Sequence, residues 1–88
     1  MKTEARWSRS ALDDLRRLDV SIADRVTKKV DWFCGQRQPL MFAKVLSGAF
    51  KDVYRFRIGD YRVFFEVIDG EATILMILRV RHRREAYR

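Results

Sequence analysis

The chain has 88 residues, of which 48% are hydrophobic and 35% are charged. This balance predicts one globular domain over residues 1–88 and excludes a disordered or low-complexity protein. No apolar run approaches the ~18 residues of a membrane span, and the N-terminal residues lack the apolar region of a secretory signal. With a single cysteine, Cys34, no intramolecular disulfide can form. We therefore expect a cytoplasmic protein without a membrane partner.

The chain is strongly basic. Nineteen Lys and Arg residues stand against twelve Asp and Glu residues, which gives a net charge of +7. A small domain with such an excess usually binds a polyanion, either nucleic acid or the ribosome, or an acidic protein. The charge by itself does not choose among these partners.

A short strand is predicted over residues 2–7, because apolar and polar residues alternate there. A first helix follows, with Ser8 or Ser10 as its N-cap. Asp13 and Asp14 are expected in its first turn, where the helix dipole favours carboxylates. The predicted buried face of this helix carries Leu12, Leu15 and Leu18.

A second helix is predicted to begin after Asp19 or Ser21 and to end at Cys34. Its apolar residues recur at intervals of four, four and three, which places them on one face. They are Ile22, Val26, Val30 and Phe33. Gly35 stands where a left-handed C-cap is expected, and the short link between the helices predicts an antiparallel hairpin.

From residue 49 onwards the apolar period changes to two, which predicts strands over residues 51–58, 61–68 and about 72–80. Gly59-Asp60 and Asp69-Gly70 separate them and are strong signals for hairpin turns. The expected fold class is α+β, in the order β-α-α-β-β-β. The N-terminal strand and the helix hairpin should pack on one face of a twisted antiparallel sheet.

Two-residue turns would place Arg57 opposite Arg62, and Arg62 opposite Ile77. The face toward the helices would then carry Tyr54, Phe56, Ile58, Tyr61, Val63, Phe65, Val67, Ile74, Met76, Leu78 and Val80. The other side, called here the arginine face, would carry Arg55, Arg57, Arg62, Arg79 and Arg81, with Glu66 and an apolar floor of Phe64, Leu75 and Ile77.

Like charges that oppose each other across a sheet are destabilising, so such a face predicts a rigid anion site in which the apolar floor contacts a base or sugar. The alternative is that the arginines extend into solvent and bind nothing. The basic run at residues 79–84 has the same two interpretations, and it contains His82, the single histidine. Neither a nucleophilic triad nor a Gly-rich phosphate loop is present. With one His and one Cys, we expect no metal site and no cofactor.

Three segments closely resemble the RelE/ParE superfamily of bacterial toxins from type II toxin–antitoxin systems. They are residues 54–58 (YRFRI), 59–67 (GDYRVFFEV) and 80–88 (VRHRREAYR), and a Leu-Ser-Gly sequence at residues 46–48 adds to the likeness. The details look more like the RelE branch, ribosome-dependent mRNA endonucleases, than like the ParE branch, which poisons DNA gyrase. The RelE resemblance implies attack of a 2′-hydroxyl on the adjacent phosphate in the ribosomal A site, without a metal.

The resemblance also implies roles for individual residues. Arg55 and Arg57 stand where the RelE branch has basic residues, often Lys. Arg62 matches its strand arginine, Arg83 its C-terminal arginine and Tyr87 its terminal tyrosine. The expected catalytic set is Arg57, Arg62, Arg83 and Tyr87, and the expected RNA- and phosphate-binding set is Arg55, Arg57, Arg79, Arg81 and His82. A guanidinium keeps its proton at neutral pH, so Arg57 is suited to charge stabilisation and is a poor general base.

The implied partners are a RelB-like antitoxin, acidic where it binds, together with the ribosome and mRNA. A toxin–antitoxin hetero-oligomer is expected. Two other functions stay open from the sequence. One is a ParE-like toxin that inhibits gyrase and cuts nothing, and the other is a basic RNA- or ribosome-binding module without activity.

Overall fold

Five strands form a single sheet in the order β1-β5-β4-β3-β2 in the computed structural model, which describes residues 2–46 and 52–86. The elements in chain order are β1 (Thr3–Trp7), α1 (Arg9–Arg16), α2 (Val20–Cys34), a 3-10 helix (Pro39–Phe42), β2 (Ala43–Leu46), β3 (Val53–Ile58), β4 (Tyr61–Ile68), β5 (Thr73–His82) and α3 (Arg83–Ala86). The predicted α+β fold is confirmed. The sheet was expected to be antiparallel but is mixed, because β1 is one of its strands and pairs with β5 in parallel. The short edge strand β2 was not predicted.

Helix α1 begins where the sequence predicts. The Ser8 side chain accepts a hydrogen bond from the Ala11 amide at 3.1 Å, so Ser8 is the N-cap. The two aspartates were wrongly placed in the first turn, because a helix that begins at Arg9 puts them in its second turn. Leu12 was wrongly assigned to the buried face and is 40% exposed, whereas Ala11 and Asp14 are buried.

Helix α2 follows the prediction along its length. Asp19 is its N-cap, and Val26, Val30 and Phe33 are buried. The predicted left-handed C-cap is wrong, because Gly35 has a φ of −78°. Its amide donates to the carbonyls of Asp31 and Trp32, at 3.0 and 3.1 Å, so right-handed geometry continues through the end of the helix. Within the described residues, no helix is both long enough and apolar enough to cross a bilayer.

The core lies between the helices and one face of the sheet. Its buried apolar residues are Ala11, Val26, Val30, Phe33, Phe56, Ile58, Val63, Phe65, Leu75, Ile77 and Val80. Phe56 is stacked between Phe33 and Phe65, with ring centroids 4.2 and 4.4 Å away, and these rings join α2 to β3 and β4. The core therefore holds the central strands rigidly and leaves their other face for the arginines.

The first hairpin has the predicted register, with Arg57 opposite Arg62 and Ile58 opposite Tyr61. Gly59 has a φ of +57°, and no described non-glycine residue has a positive φ. A positive φ at the first central position alone is the requirement of a type II′ turn, which matches the twist of the two strands.

The second hairpin differs from the prediction. Ile68 pairs with Ile74, so the loop is longer than two residues, and a bulge interrupts the ladder between Phe64 and Phe65. Phe65 pairs with Ile77 and Phe64 with Arg79, which leaves Leu78 as the extra residue.

The longer loop and the bulge change which residues of β5 face the core. Leu75 and Ile77, expected on the arginine face, are fully buried in the core. Met76 lies opposite Glu66 on the arginine side. Without the bulge, the arginines at positions 79 and 81 would share a face with Ile77 and point into the core. The extra residue lets Val80 take the core position instead.

Candidate functional site

Three arginines form a row across neighbouring strands of the arginine face. Arg57 on β3 pairs with Arg62 on β4, and Arg62 pairs with Arg81 on β5. The next row joins Arg55, Phe64 and Arg79 in the same way. The five arginines expected on this face are thus together. Each directly opposed pair of like charges costs roughly 0.2–1 kcal/mol, so selection for stability alone would not favour this arrangement.

Arg62 is the buried member of the row, with 6% of its surface exposed. Its Nη1 donates to the carbonyls of Gly59 and Tyr61, both at 3.0 Å. Its Nε is buried without a hydrogen-bond partner among the described residues. In that same part of the chain, no carboxylate lies within ion-pair distance of Arg62 or Arg57. The positive charge at the centre of the row is therefore not neutralised by a carboxylate of the described residues, which is costly for a buried guanidinium.

Arg79 is held by Asp14 of α1. Its Nε and Nη2 donate to the two carboxylate oxygens at 2.9 and 3.0 Å, and the Val80 amide donates to Oδ2 at 2.9 Å. Strand β1 ends at Trp7, opposite Ile77, so the Val80 amide has no strand partner on that side. The carboxylate replaces the missing strand.

Several opposing effects set the pKa of Asp14. Burial raises it, but the hydrogen bonds from Arg79 and Val80 and the positive charges of Arg79 and Arg81 lower it by more, so that the pKa lies below its ordinary value. Asp14 therefore stays ionised beside the row and keeps Arg79 engaged.

A cavity of about 430 Å³ opens beside the row, between β4, β5 and α3. It is lined by Phe64, Arg79, Arg81, Glu85 and Ala86. Arg81 Nη1 lies 3.6 Å from a Glu85 oxygen, a partly exposed ion pair. Of the predicted apolar floor, only Phe64 is at this surface. An aromatic ring, a guanidinium and a carboxylate here offer stacking, phosphate binding and a proton acceptor in one depression.

The remaining predicted site residues lie toward the turn of the first hairpin. The His82 ring packs edge-on against Tyr61, with centroids 5.3 Å apart, and its Nδ1 accepts from the Arg84 amide at 3.2 Å. The Arg83 amide donates to the Asp60 carbonyl at 2.7 Å. The side-chain Nε of Arg83 lies 3.9 Å from the Asp60 carboxylate. Arg83 is thus beside the turn and outside the row. Tyr87 and residues 47–51 lie outside the described residues.

Metal binding and thiol chemistry find little support in the described residues. No three His, Cys, Asp or Glu side chains there group closely enough to hold a metal ion. Burial, with a smaller contribution from the charge of Asp31, raises the pKa of the Cys34 thiol to about 11. Cys34 is therefore protonated at neutral pH and unsuited to nucleophilic chemistry.

Sequence reasoning missed two features near the site. The first is the set of carboxylates at Asp14 and Glu85, whose partners depend on tertiary packing. The second is a basic cluster on α2, where Arg25, Lys28 and Lys29 line a depression of about 640 Å³ together with Arg57. Their spacing of three and four residues places them on one helix face, and the sequence contained that signal.

Comparison with known proteins matches the chain over nearly its whole length. The family model described as "ParE toxin of type II toxin-antitoxin system, parDE" matches residues 5–87. Toxin RelG of Mycobacterium tuberculosis is 34% identical over 90 aligned residues, which cover 100% of this chain and 99% of RelG.

Two solved toxin–antitoxin complexes contain a chain of similar structure. In RelBE2 from Mycobacterium tuberculosis the match has 31% identity and a TM-score of 0.74, and it covers 94% of this chain and 100% of that one. In the RelE–RelB complex of Pyrococcus horikoshii the identity is 25% and the TM-score 0.72, with 98% and 100% covered. Sequence match and fold agree along the chain, which therefore belongs to the RelE/ParE superfamily of toxins from type II toxin–antitoxin systems.

Proposed function

We propose that this toxin is a ribosome-dependent endoribonuclease that cleaves translated mRNA and thereby inhibits translation in the cytoplasm. The observation that carries the proposal is the row Arg57–Arg62–Arg81, in which the central guanidinium is buried with an unpartnered Nε. Buried donors without partners are rare and costly, and a catalytic role or a bound ion is among the explanations for one in a native structure.

The proposed reaction is attack of a 2′-hydroxyl on the adjacent phosphate. The new bond joins the 2′-oxygen to phosphorus, the bond from phosphorus to the 5′-oxygen breaks, and the products end in a 2′,3′-cyclic phosphate and a 5′-hydroxyl. Negative charge builds up on the phosphate oxygens in the pentacoordinate transition state. The guanidiniums of the row stabilise that charge electrostatically, which is the largest contribution such a site can make.

Proton transfer needs groups other than the arginines. Glu85 lines the cavity beside Arg81 and is a carboxylate that can accept the 2′-proton. Tyr87 is the proposed donor to the leaving 5′-oxygen, on the basis of the sequence resemblance, and His82, the single histidine, is the alternative. Phe64 supplies a ring on which a base next to the cut can stack. Arg79, held by Asp14, shapes the wall of the cavity, and Arg55 extends the basic surface along β3.

An antitoxin is the proposed protein partner. The two similar solved structures are toxin–antitoxin complexes. By analogy, an acidic antitoxin segment would cover the arginine face of this chain and exclude RNA from it, and the inactive form would be a hetero-oligomer.

Gyrase inhibition is the second candidate, because the matching family model is that of the ParE toxins. In that case the arginine face is a binding surface and cuts nothing. Growth arrest with intact mRNA and an induced DNA-damage response would favour this function.

The test is cleavage of a translated message by purified ribosomes and the full chain, with the new ends mapped by primer extension. We expect cuts that leave 5′-hydroxyl ends. Arg57→Ala, at an exposed position, should lower the rate about 100-fold because it removes one phosphate contact. Arg81→Ala should do the same, and Arg62→Ala should abolish cleavage.

Two comparisons control this experiment. Arg9→Ala, on the exposed surface of α1, should cut at the parent rate. Arg83→Ala distinguishes a role of Arg83 from a role of Arg81, because Arg83 lies beside Asp60 and outside the row. A large loss in this variant with full activity in Arg81→Ala would assign the role to Arg83. Intact mRNA in the presence of the parent chain would refute the nuclease proposal.

A further inference from the structure

A second basic surface lies on the helix side of the sheet. Arg25, Lys28, Lys29 and Trp32 occupy positions i, i+3, i+4 and i+7 of α2 and therefore share one helix face. All four are exposed. With Arg57 and Gly59 of the first hairpin they line the depression of about 640 Å³. We call these residues the α2 groove.

The cations of the α2 groove are only partly neutralised. Lys28 Nζ lies 2.8 Å from an Asp24 oxygen, so this pair contributes little net charge. Among the described residues, neither Arg25 nor Lys29 lies within ion-pair distance of a carboxylate, and the same holds for Arg57. The positive charges of Arg25, Lys29 and Arg57 therefore line a concave surface without a neutralising carboxylate at ion-pair distance in the described part of the chain.

Trp32 gives the groove an aromatic platform. The indole is 46% exposed, and its ring is fixed edge-on against Phe33 and Phe42, with centroids 5.5 and 5.4 Å away. Lys29 Nζ lies 4.1 Å from the indole centroid. A fixed ring next to a flexible cation can stack a base and bind its neighbouring phosphate, the combination by which proteins hold single-stranded nucleic acid.

The first hairpin turn connects the α2 groove to the arginine face. A Cβ added at Gly59 would lie 3.0 Å from Arg25 Nη2, so the guanidinium rests directly on the turn. From the other side, Arg62 donates to the Gly59 carbonyl. Arg57 belongs to both the groove and the row. The two basic surfaces thus meet at the end of the hairpin.

We infer that the α2 groove is a second RNA-binding site, which takes the phosphodiester backbone of an RNA strand continuing past the arginine face. The inference rests on the proposed function for its choice of RNA as the anion. An acidic protein segment would also meet the three cations, but it has no need of an exposed, fixed indole beside Lys29. The RNA segment belongs either to the mRNA or to ribosomal RNA, and the phosphate and base chemistry is common to both.

The test is direct binding of the full chain to a labelled single-stranded 2′-O-methyl RNA, which cannot be cleaved, and to purified ribosomes. Arg25→Glu/Lys29→Glu should weaken binding about tenfold in at least one of these arms. The slope of log affinity against log salt for the oligonucleotide should fall by roughly 1.4 if both cations contact its phosphates, because each such contact contributes about 0.7. Loss in the oligonucleotide arm assigns the groove to mRNA, and loss in the ribosome arm alone assigns it to ribosomal RNA.

The matched control is Arg9→Glu/Arg17→Glu, which makes the same change in net charge at exposed positions on and just after α1. It should weaken binding by less than about threefold in both arms. Trp32→Phe keeps an aromatic ring and should bind nearly as the parent does, whereas Trp32→Ala should bind more weakly at an unchanged salt slope.

Equal losses in the two double variants, or no loss in either arm, would overturn the inference. The inference would also be overturned if Arg25→Glu/Lys29→Glu weakened binding of an antitoxin and left RNA binding intact. Because the readout is binding, a parent chain that binds RNA through the groove but cuts none would refute only the nuclease proposal. A chain that cuts normally with the groove charges reversed and binds as the parent does would refute only the groove.

Discussion

Asp14 shows how one carboxylate organises the edge of the site. Its two oxygens bind the Arg79 guanidinium, and one of them also accepts from the Val80 amide. The carboxylate therefore satisfies a strand edge that β1 leaves open and holds Arg79 beside the cavity. This structural role accounts for a buried acid on a helix whose other charged residues are exposed or partly exposed.

Replacement of Asp14 should make the protein less stable. Asp14→Asn removes the negative charge opposite Arg79 and should lower the free energy of unfolding by about 2 kcal/mol at pH 7, measured by urea denaturation. Asp13→Asn is the control on the same helix. Its ion pair with Arg16 is exposed, so this change should cost no more than about 0.5 kcal/mol. Equal effects of the two substitutions would contradict the assigned role.

The ionisation of Asp14 should also make the stability of the protein depend on pH. Because folding lowers the pKa of Asp14 below its ordinary value of 3.8, the ionised group stabilises the fold above that pH. This contribution is lost as pH falls through the lower pKa of the folded state. The unfolding free energy of the parent should therefore decline below about pH 4, and Asp14→Asn should show a shallower decline. If the unfolding free energy declined identically below pH 4 in both proteins, Asp14 would not be the cause of the decline.

At the scale of elements, the turn of the first hairpin joins the parts of the site. It accepts hydrogen bonds from Arg62 at the Gly59 carbonyl and from the Arg83 amide at the Asp60 carbonyl, while Arg25 rests on its outer surface. Its two-residue length fixes the register that opposes Arg57 and Arg62. The turn therefore sets both the geometry of the row and its junction with the α2 groove.

Gly59→Ala should destabilise the fold by about 1–2 kcal/mol, because a side chain at a φ of +57° is strained and its Cβ would press on Arg25. Gly70→Ala is the natural comparison. A Cβ there would meet only the Ala72 carbonyl, at 3.8 Å, so the change should be neutral or slightly stabilising. Thermal or urea unfolding of both variants tests the contrast, and equal stabilities would mean that the positive φ carries no cost.

At the scale of the whole molecule, eight of the nineteen Lys and Arg residues belong to two surfaces, the arginine face and the α2 groove. The arginine face and the α2 groove lie on opposite sides of the sheet and meet at one turn. Such a distribution suits a polyanion long enough to follow both surfaces.

Salt should weaken RNA binding by the parent chain in proportion to its phosphate contacts. Three contacts along the row should contribute about −2 to the log–log slope for a single strand, and Arg25 and Lys29 of the α2 groove about −1.4 more. Arg57→Ala should reduce the slope by roughly 0.7, and Arg9→Ala should leave it unchanged. Affinity that does not vary with salt would show that apolar contacts dominate and that the row binds no phosphate.

The sequence by itself determined the parts of the fold that depend on local interactions. The Ser8 cap, the buried face of α2 and the register of the first hairpin each follow from residues a few positions apart, through helix capping, helical period and a two-residue turn. The placement of Arg55, Arg57 and Arg62 on one face followed too, because period two decides the face of each strand residue once the turn is known. Arg79 and Arg81 lie on the predicted face only because the bulge in the β4–β5 ladder offsets the longer second loop.

Tertiary structure alone decided the rest, since it depends on contacts between distant segments. Asp14 and Arg79 are 65 residues apart, and nothing local marks them as partners. The parallel pairing of β1 with β5 arises because strand edges must be satisfied. The bulge that puts Val80 in the core in place of Arg79 arises because apolar side chains must be buried. The same packing set Arg62 beneath the surface, brought Glu85 to Arg81, and placed α2 against the hairpin turn. Those long-range contacts therefore decide how the basic residues are arranged and which of them are buried.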